Sequence, residues 1–178
     1  TWHHLVAKHG RPPGTVNDAS DGRGFAVVAY GKLGGLELGY GSDLDLVFLH
    51  SGTEGLTIGG PHPIDNSQFY ARLGQRVIHI LTSHTRAGIL YETDMRLRPS
   101  GSSGVLVSHI EGFGEYQMKE AWTWEHQALI RARAVGGDYR LCHHFERIRK
   151  DVLNCPLDPN KLRVEVLEMR RRMRRDLL

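Results

Sequence analysis

The stretch YGKLGGLELGYGSDLDLVFLH, residues 30–50, decides the fold of this chain. Near its end, Asp43 and Asp45 stand one residue apart, and a continuous apolar run follows from Leu46 to Leu49. Such a run is typical of a buried strand, and side chains two positions apart in a strand lie on the same face. Both carboxylates therefore point the same way, and the pair predicts an oxygen-rich clamp for a divalent metal ion.

The beginning of the same stretch is a glycine turn that follows a second apolar run, Phe25 to Tyr30. Gly34 and Gly35 come after this run and open a short Leu-Glu-Leu turn. Glycine lets backbone N–H groups approach a phosphate closely, and the start of a helix adds partial positive charge. We therefore expect the backbone at these two glycines to bind phosphate beside the metal clamp.

A third carboxylate is expected from a later strand, Ile89–Arg98, in which apolar and polar residues alternate. Asp94 lies on the polar face of this strand together with Arg96 and Arg98. A third aspartate would complete a site for two metal ions, which clamp the attacking and leaving oxygens of a transferred group. The two arginines could meet phosphate charge. The alternative left open is that Asp94 pairs with an arginine for purely structural reasons.

The remaining periodicity predicts further helices and one short strand. A helix should begin at Asp65, with Gln68 completing a capping box. A short strand is predicted at Val105–Val107, and Gly136-Gly137 should separate two of the later helices. The later helices are expected at Glu111–Lys119, Ala121–Val135 and Tyr139–Leu153, and after Pro159.

The composition favours a cytoplasmic protein. With 178 residues, the chain can form one domain, or one domain and part of another. Cys142 and Cys155 lack the CxxC spacing, which favours a reducing cytosol, and no apolar run is long enough for a membrane span or a signal segment. The chain starts with Thr rather than Met and stops inside a helical pattern, so we expect a piece of a longer protein.

The net charge is only +3, but five arginines crowd the C-terminus. Such a cluster can bind nucleic acid, whereas a solvated face of an amphipathic helix is the more ordinary interpretation. We therefore expect neither a nucleic-acid partner nor a membrane partner. The arginines of this cluster are Arg170, Arg171, Arg172, Arg174 and Arg175.

Three blocks of the sequence carry a resemblance to a known family. They are YGKLGGLELGYGSDLDLVFLH at 30–50, YETDMRLRPSGSSGVLV at 91–107 and EAWTWEHQALIRARAV at 120–135. The two glycines, the aspartate pair and the later strand aspartate resemble the nucleotidyltransferase superfamily of the DNA polymerase β type. Together, the blocks resemble the glutamine synthetase adenylyltransferase family. The resemblance implies an α+β, polymerase-β-like nucleotidyltransferase fold, in which a mixed sheet is packed with helices. Residues 1–135 would form the catalytic core, and residues 136–178 would begin a helical bundle.

The resemblance also implies roles for particular residues. Asp43, Asp45 and Asp94 would be the catalytic carboxylates and would hold Mg²⁺, with ATP as substrate. Asp94 would accept the proton of the attacking hydroxyl if a base is needed. In the superfamily a serine often follows the first glycine; Gly35 stands there instead, and Ser42 could take over the phosphate contact. The residues that would bind the nucleotide are Gly34, Gly35, Ser42, Lys32, Arg96 and Arg98.

The tryptophan-rich block leaves the positions of its side chains open. Trp122 and Trp124 could stack on adenine, but aromatic residues beside a helical pattern more often lie in the core, and we expect them there. Glu125, Arg131 and Arg133 could contact the nucleotide or brace the residues that do.

Members of the resembling family carry two such domains in one chain. As the resemblance implies, the C-terminal domain transfers AMP from ATP to a tyrosine of glutamine synthetase, and the N-terminal domain removes that AMP by phosphorolysis. The Tyr30-Gly31-Lys32 opening and the tryptophan-rich block favour the adenylylating domain. Two alternatives are the deadenylylating domain and a regulatory module that binds nucleotide without turnover. The expected partners are glutamine synthetase and a PII-type signal protein.

Overall fold

The computed structural model describes residues 1–13, 22–86, 88–89, 91–156 and 159–176. These residues form helices and strands, with one short 3-10 helix at Gly101–Ser103. The helices are α1 (Trp2–His9), α2 (Gly31–Gly34), α3 (Asn66–Leu81), α4 (Ile110–Lys119), α5 (Thr123–Ile130), α6 (Tyr139–Asn154) and α7 (Pro159–Asp176). The strands are β1 (Gly10–Arg11), β2 (Phe25–Ala29), β3 (Leu44–His50), β4 (Ile58–Gly59), β5 (Thr93–Asp94), β6 (Val107–His109) and β7 (Arg133–Gly137).

The central sheet is mixed and contains β2, β3, β5, β6 and β7. β2 lies between β3 and β7 and pairs antiparallel with both. β3 also pairs in parallel with β5 near its start and with β6 near its end. This architecture confirms the expected α+β class with a mixed sheet and helices. β1 and β4 form a separate two-stranded antiparallel sheet.

Helices cover both faces of the two central strands. On one face, Val28 and Val47 pack in a cluster with side chains of α4, α5 and α6. On the other face, Phe48 packs in a second cluster with side chains of α1 and α3. Strands buried on both faces read as continuous apolar runs, which explains the pattern at 46–49. The aspartate pair therefore lies at the start of a strand that is packed on both faces.

Several elements predicted from the sequence are confirmed. Asp65 is the N-cap of α3, and its carboxylate accepts a hydrogen bond from the backbone N–H of Ser67 at 2.8 Å. This bond satisfies one of the N–H groups that a helix start leaves unpaired. β2 and β3 form at the two apolar runs. α4 and α6 form where helices were predicted to begin, at Glu111 and Tyr139.

The prediction of a long strand at Ile89–Arg98 is wrong. Of the described residues in this range, only Thr93 and Asp94 form a strand, and the chain turns immediately after them. Ile89, which was expected on a buried face, is 44% exposed. The Arg98 guanidinium donates a hydrogen bond to the backbone oxygen of Met95 at 2.6 Å. The Arg98 side chain, rather than a neighbouring strand, thus supplies the hydrogen-bond donor for this backbone oxygen. The backbone at residues 95–100 can therefore leave the sheet without losing that hydrogen bond.

Two further points concern the margins of this region. Leu90, within the expected strand, lies outside the described residues. The strand expected at Val105–Val107 begins only at Val107 and continues to His109 as β6. Val105 is exposed, because the pairing with β3 starts two residues later.

The long helix expected at Ala121–Val135 is also wrong. α5 ends at Ile130, and the chain then reverses into β7, which pairs with β2. Gly136 and Gly137 lie between α5 and α6, as expected, but they form the end of this strand and not a simple break between two helices. Gly137 has a φ of 117°, and a Cβ atom there would collide with the backbone oxygen of Phe25, so glycine is required. The open edge of β2 has overridden the local preference of this segment for helix.

The division into a core of residues 1–135 and a helical region of residues 136–178 stays a prediction. β7 runs across this boundary, and α6 packs on the sheet through Leu141 and Phe145. Leu177 and Leu178 lie outside the described residues. Among the helices that the structure describes, none combines the length and apolar character needed to cross a membrane.

Candidate active site

Three aspartate side chains converge where β3 begins. Asp43 directly precedes β3, Asp45 lies within it, and Asp94 on β5 is the register partner of Asp45. One carboxylate oxygen from each of the three lies within 4.8 Å of the other two. Asp43 is exposed, whereas Asp45 and Asp94 are half-buried. The structure thus brings together the three carboxylates that the sequence singled out.

Backbone pairing fixes where these carboxylates stand. The N–H of Tyr30 donates to the backbone oxygen of Asp45 at 2.9 Å, and the N–H of Leu44 donates to the backbone oxygen of Glu92 at 2.8 Å. The first bond ties the start of β3 to the end of β2, and the second ties it to the segment that carries Asp94. The relative positions of the carboxylates therefore follow from the sheet.

The two half-buried carboxylates lie in different electrostatic surroundings. Burial raises the pKa of Asp45, and the charges of Asp43 and Asp94 raise it further. The pKa of Asp94 is lowered, chiefly by a side-chain hydrogen bond from Arg96. Three carboxylates this close repel one another, and an oxygen-only ligand set of this kind suits Mg²⁺. The residues present therefore fit the divalent ion that the resemblance implies.

Gly31 belongs to this site, although the sequence analysis did not identify it. Its φ is 53°, in the left-handed region, and a Cβ atom there would collide with Oδ2 of Asp45. Glycine is therefore needed both for the backbone conformation and for the space that the carboxylate occupies. The only signal in the sequence is a glycine at the end of a strand, which by itself does not reveal a contact with Asp45.

Gly34 and Gly35 lie in and directly after α2, and their amides already have partners. The N–H of Gly34 donates to the oxygen of Tyr30 at 2.9 Å, and the N–H of Gly35 donates to the oxygen of Gly31 at 3.0 Å. A Cβ atom on Gly34 would collide with the backbone oxygen of Arg131, and one on Gly35 would lie 2.8 Å from the Arg131 guanidinium. Close packing accounts for both glycines, and their contact with phosphate stays a prediction.

Ser42 is buried in the turn that leads into β3. Its hydroxyl accepts a hydrogen bond from the N–H of Gly39 at 3.3 Å, and its own N–H donates to the oxygen of Gly39 at 3.2 Å. Ser42 therefore shapes the turn directly before Asp43. Its contact with a phosphate stays a prediction.

The three cations expected near the nucleotide have different surroundings. Arg96 forms an ion pair with Asp94. Arg98 donates hydrogen bonds to the backbone oxygens of its own loop, including that of Ser102 at 3.1 Å. Lys32 is exposed, and its charge lowers the pKa of Asp45, although this effect is smaller than the effects that raise it. Lys32 and Arg96 are therefore placed close to the carboxylates, whereas Arg98 holds the loop.

Three charged side chains at 125–133 pair with other groups of the protein. The buried Glu125 carboxylate accepts hydrogen bonds from the hydroxyl of Tyr116 and from the backbone N–H of Trp122, each at 2.9 Å. Arg133 donates to the backbone oxygen of Gly34 at 3.2 Å, and Arg131 forms an ion pair with Glu37. Arg133 thus braces the glycine turn at Gly34, and a contact of any of the three side chains with the nucleotide stays a prediction.

The prediction that the two tryptophans lie in the core is wrong. Trp122 is 62% exposed and Trp124 is 42% exposed. Both line a cleft of about 630 Å³ between α5 and α7, together with Met169 of α7. Trp122 is the N-cap residue of α5 and Trp124 lies in its first turn.

Comparison with known proteins relates this fold and site to one family. The family described as GlnE, glutamate-ammonia ligase adenylyltransferase, matches residues 1–148. Because this match covers more than half of the chain, the chain belongs to that family. Curated relatives carry the name bifunctional glutamine synthetase adenylyltransferase/adenylyl-removing enzyme. The chain is 55% identical to the one from Pseudomonas syringae pv. tomato, 54% to the one from Shewanella frigidimarina and 53% to the one from Hahella chejuensis. Each match covers 99% of this chain but only 18% of the relative.

Proposed function

We propose that this chain carries an active site that transfers AMP from ATP to a tyrosine of glutamine synthetase and releases pyrophosphate. The observation that carries the proposal is the convergence of Asp43, Asp45 and Asp94 at the start of β3. The names of the relatives, which include an adenylyltransferase activity, support the choice of reaction.

The three aspartates would hold Mg²⁺. When bound, this ion offsets the negative charge of the triphosphate and of the departing pyrophosphate and favours the phenolate form of the attacking tyrosine. The carboxylates alone would repel ATP, because they present three negative charges within a few ångströms. The donor set is therefore useful for this reaction only together with a cation.

Asp94 is the residue that we expect to accept the proton of the target tyrosine. An aspartate carboxylate is ionised at neutral pH, so Asp94 can accept a proton there. The phenol oxygen would lose its proton to an oxygen of Asp94 and attack the α-phosphorus in line. The bond from the α-phosphorus to the bridging oxygen then breaks, and pyrophosphate leaves.

Basic side chains would orient the phosphates. Lys32 and Arg96 are the better candidates, because both side chains are exposed and lie beside the carboxylates. Direct binding by Arg98 would cost its hydrogen bonds to the backbone oxygens of Met95, Ser102 and Gly104. We therefore assign Arg98 to the support of the loop that carries Asp94. Backbone contacts at Gly34 and Gly35 and a hydroxyl contact from Ser42 complete the proposed nucleotide site.

The second candidate is the reverse task, removal of AMP by phosphorolysis. The names of the relatives include this activity as well, and the same carboxylates could serve it. Phosphate would attack the α-phosphorus of AMP-tyrosine, so that ADP forms and the tyrosine leaves. The resemblance of the Tyr30-Gly31-Lys32 opening and of the tryptophan-rich block is what favours adenylylation. A module that binds nucleotide without turnover would have no need for three converging carboxylates.

The proposed partners follow from the same family. Glutamine synthetase would be the protein substrate, and a PII-type signal protein would be the regulator. The compartment that we propose is the cytoplasm, where glutamine synthetase would meet its modifying enzyme.

The decisive experiment follows the α-phosphate of ATP. The protein, Mg²⁺ and α-labelled ATP are incubated with unmodified glutamine synthetase, and in parallel unlabelled protein and labelled phosphate are incubated with adenylylated glutamine synthetase. Label on glutamine synthetase in the first reaction, lost with Asp45→Asn, supports adenylylation. Label in ADP in the second reaction, without label transfer in the first, would replace our proposal with phosphorolysis. Nucleotide binding without either product would favour the regulatory module.

A further inference from the structure

The interaction of Arg96 with Asp94 occupies both carboxylate oxygens. The guanidinium donates to Oδ2 through Nε at 2.8 Å and through a terminal nitrogen at 2.5 Å. The backbone N–H of Arg96 donates to Oδ1 at 2.8 Å. The lone pairs that a cation at this site would use are therefore partly taken by the protein itself.

The two partners of this ion pair differ in their freedom to move. The Arg96 side chain is 80% exposed, whereas that of Asp94 is only 16% exposed. The guanidinium can thus swing into solvent without opening any packed surface, while Asp94 is held by β5. In contrast, Arg98 is tied to backbone oxygens on its own loop. Of these two neighbouring arginines, only Arg96 is placed to leave.

Arg96 also offsets part of the negative charge of the whole cluster. The pKa of its guanidinium is raised, chiefly by the hydrogen bond to Asp94, and the charges of Asp43 and Asp45 add to this effect. All three carboxylates therefore act on the same guanidinium. A positive side chain thus stands beside three carboxylates that repel one another.

We propose that Arg96 is an exchangeable counter-ion, which pairs with Asp94 in the absence of metal and is displaced when a divalent cation binds the three aspartates. This inference rests on the metal role given to the aspartates under the proposed function. It predicts that Arg96 competes with the metal ion, so its removal should tighten metal binding. A residue whose only role is structural would give the opposite result.

The test is a titration with Mn²⁺ alone, without nucleotide, in which free Mn²⁺ is measured by electron paramagnetic resonance. The variants are Arg96→Gln and, as the matched control, Lys32→Gln. Both remove one positive charge near Asp45, but only the first vacates hydrogen-bonded positions on Asp94. We expect Arg96→Gln to bind Mn²⁺ about three- to tenfold more tightly than Lys32→Gln does, as befits an exposed ion pair of modest strength.

A second measurement follows Arg96 directly. In nitrogen-labelled protein, the Nε–H resonance of Arg96, assigned with the Arg96→Gln variant, should move on addition of Mg²⁺, and that of Arg98 should stay in place. The inference would be overturned if the two variants bind Mn²⁺ with equal affinity, or if the Arg96 resonance does not move when Mg²⁺ is added. Wild-type affinity for Mn²⁺ in Asp45→Asn would instead overturn the metal role of the aspartates, and with it the proposed function.

Discussion

The two sides of the candidate site are built in different ways. On the β3 side, Asp43 directly precedes, and Asp45 lies within, a strand whose residues Val47, Phe48 and Leu49 are fully buried. The opposite side carries Asp94 on a strand of only two residues, followed by turns. Complete apolar burial holds the first side, whereas the second depends on hydrogen bonds between polar groups together with the partly buried side chains of Tyr91, Met95 and Leu97. The site therefore combines a stiff support with one that depends on a few directed contacts.

This difference matters because the two kinds of support fail differently. A strand packed on both faces resists displacement, since moving it would disturb the close-packed core on either side. A loop held by an arginine can loosen while the rest of the fold stays intact. Changes on the β3 side should therefore remove function outright, and changes on the Asp94 side should weaken it in steps.

The largest effect is expected from Asp45→Asn, on the stiff side. The variant removes the charge of a proposed metal ligand, and we expect AMP transfer to fall by about a thousandfold or more. The measurement is the rate of label transfer from α-labelled ATP at saturating Mg²⁺. The fold should survive: because the pKa of Asp45 is raised in the folded state, its charge is unfavourable there above that pKa.

Thermal unfolding without metal provides the control for that variant. At neutral pH, Asp45→Asn should unfold at the same or a higher temperature than the wild type, because the amide cannot repel Asp43 and Asp94. The advantage should disappear as the pH falls below the pKa of Asp45, where the wild-type carboxyl is neutral as well. A variant that unfolds earlier at neutral pH would show that Asp45 stabilises the fold, contrary to the direction of its pKa.

The next largest effect is expected from Gly31→Ala compared with Gly41→Ala. Both glycines have left-handed backbones, with φ of 53° and 72°. A Cβ atom at Gly31 would collide with Asp45, whereas at Gly41 nothing lies within 4 Å. Each alanine should cost about 1–2 kcal/mol of stability through backbone strain. Only Gly31→Ala should also displace the carboxylate and slow the reaction, by about a hundredfold.

The pair is measured by urea unfolding and by the same transfer assay. Similar losses of stability with very different losses of activity would confirm that Gly31 makes room for Asp45. If the two variants slow the reaction equally, strain in the loop rather than contact with the carboxylate is the cause, and Gly31 has no special role.

A smaller effect is expected from Arg98→Ala, on the side held by polar contacts. The variant removes the hydrogen bonds to Met95, Ser102 and Gly104 and leaves their backbone oxygens to water. We expect a loss of about 1–2 kcal/mol in the free energy of unfolding. The transfer rate should fall by about tenfold, because Asp94 is held less firmly. The readouts are urea unfolding and the transfer rate.

Hydrogen exchange locates the effect of that substitution. Faster exchange in Arg98→Ala should be confined to residues 91–104, and the amides of β2 and β3 should exchange as in the wild type. Faster exchange throughout the sheet would mean that the two sides of the site are one cooperative unit, and the contrast between them would be lost.

The same contrast explains what the sequence could and could not predict. Asp43 and Asp45 were placed correctly because an apolar run indicates a buried strand. Asp65 was placed correctly because helix capping depends on neighbouring residues alone. β7 was missed because its partner is β2, more than a hundred residues away along the chain. The turn after Asp94 was missed because a pattern of alternating side chains does not show that Arg98 supplies bonds in place of a strand. Gly31 was missed because its contact with Asp45 exists only after the strands pair.

The smallest effect on the reaction is expected at the far end of β3, where His50 is buried beside His109 and Tyr70. Burial, with a further contribution from His109, lowers the pKa of His50 from its ordinary value of 6.5 to about 4. The unfolded chain therefore binds a proton at a higher pH than the folded chain does. The stability that comes from the neutral imidazole is complete above 6.5 and is lost as the pH falls from there towards 4.

Relative to its value near neutral pH, the free energy of unfolding should fall by about 1 kcal/mol at about pH 5.5 through His50 alone. The comparison is His50→Gln, which cannot titrate, by urea unfolding at both pH values, with the transfer rate at neutral pH as a second readout. The variant should lose less stability than the wild type on acidification, and its transfer rate should be close to that of the wild type. Parallel acid dependence in both proteins would show that His50 is free to become protonated in the fold. A large loss of transfer at neutral pH would show instead that the far end of β3 is coupled to Asp45, so that the stiff side of the site extends along the whole strand.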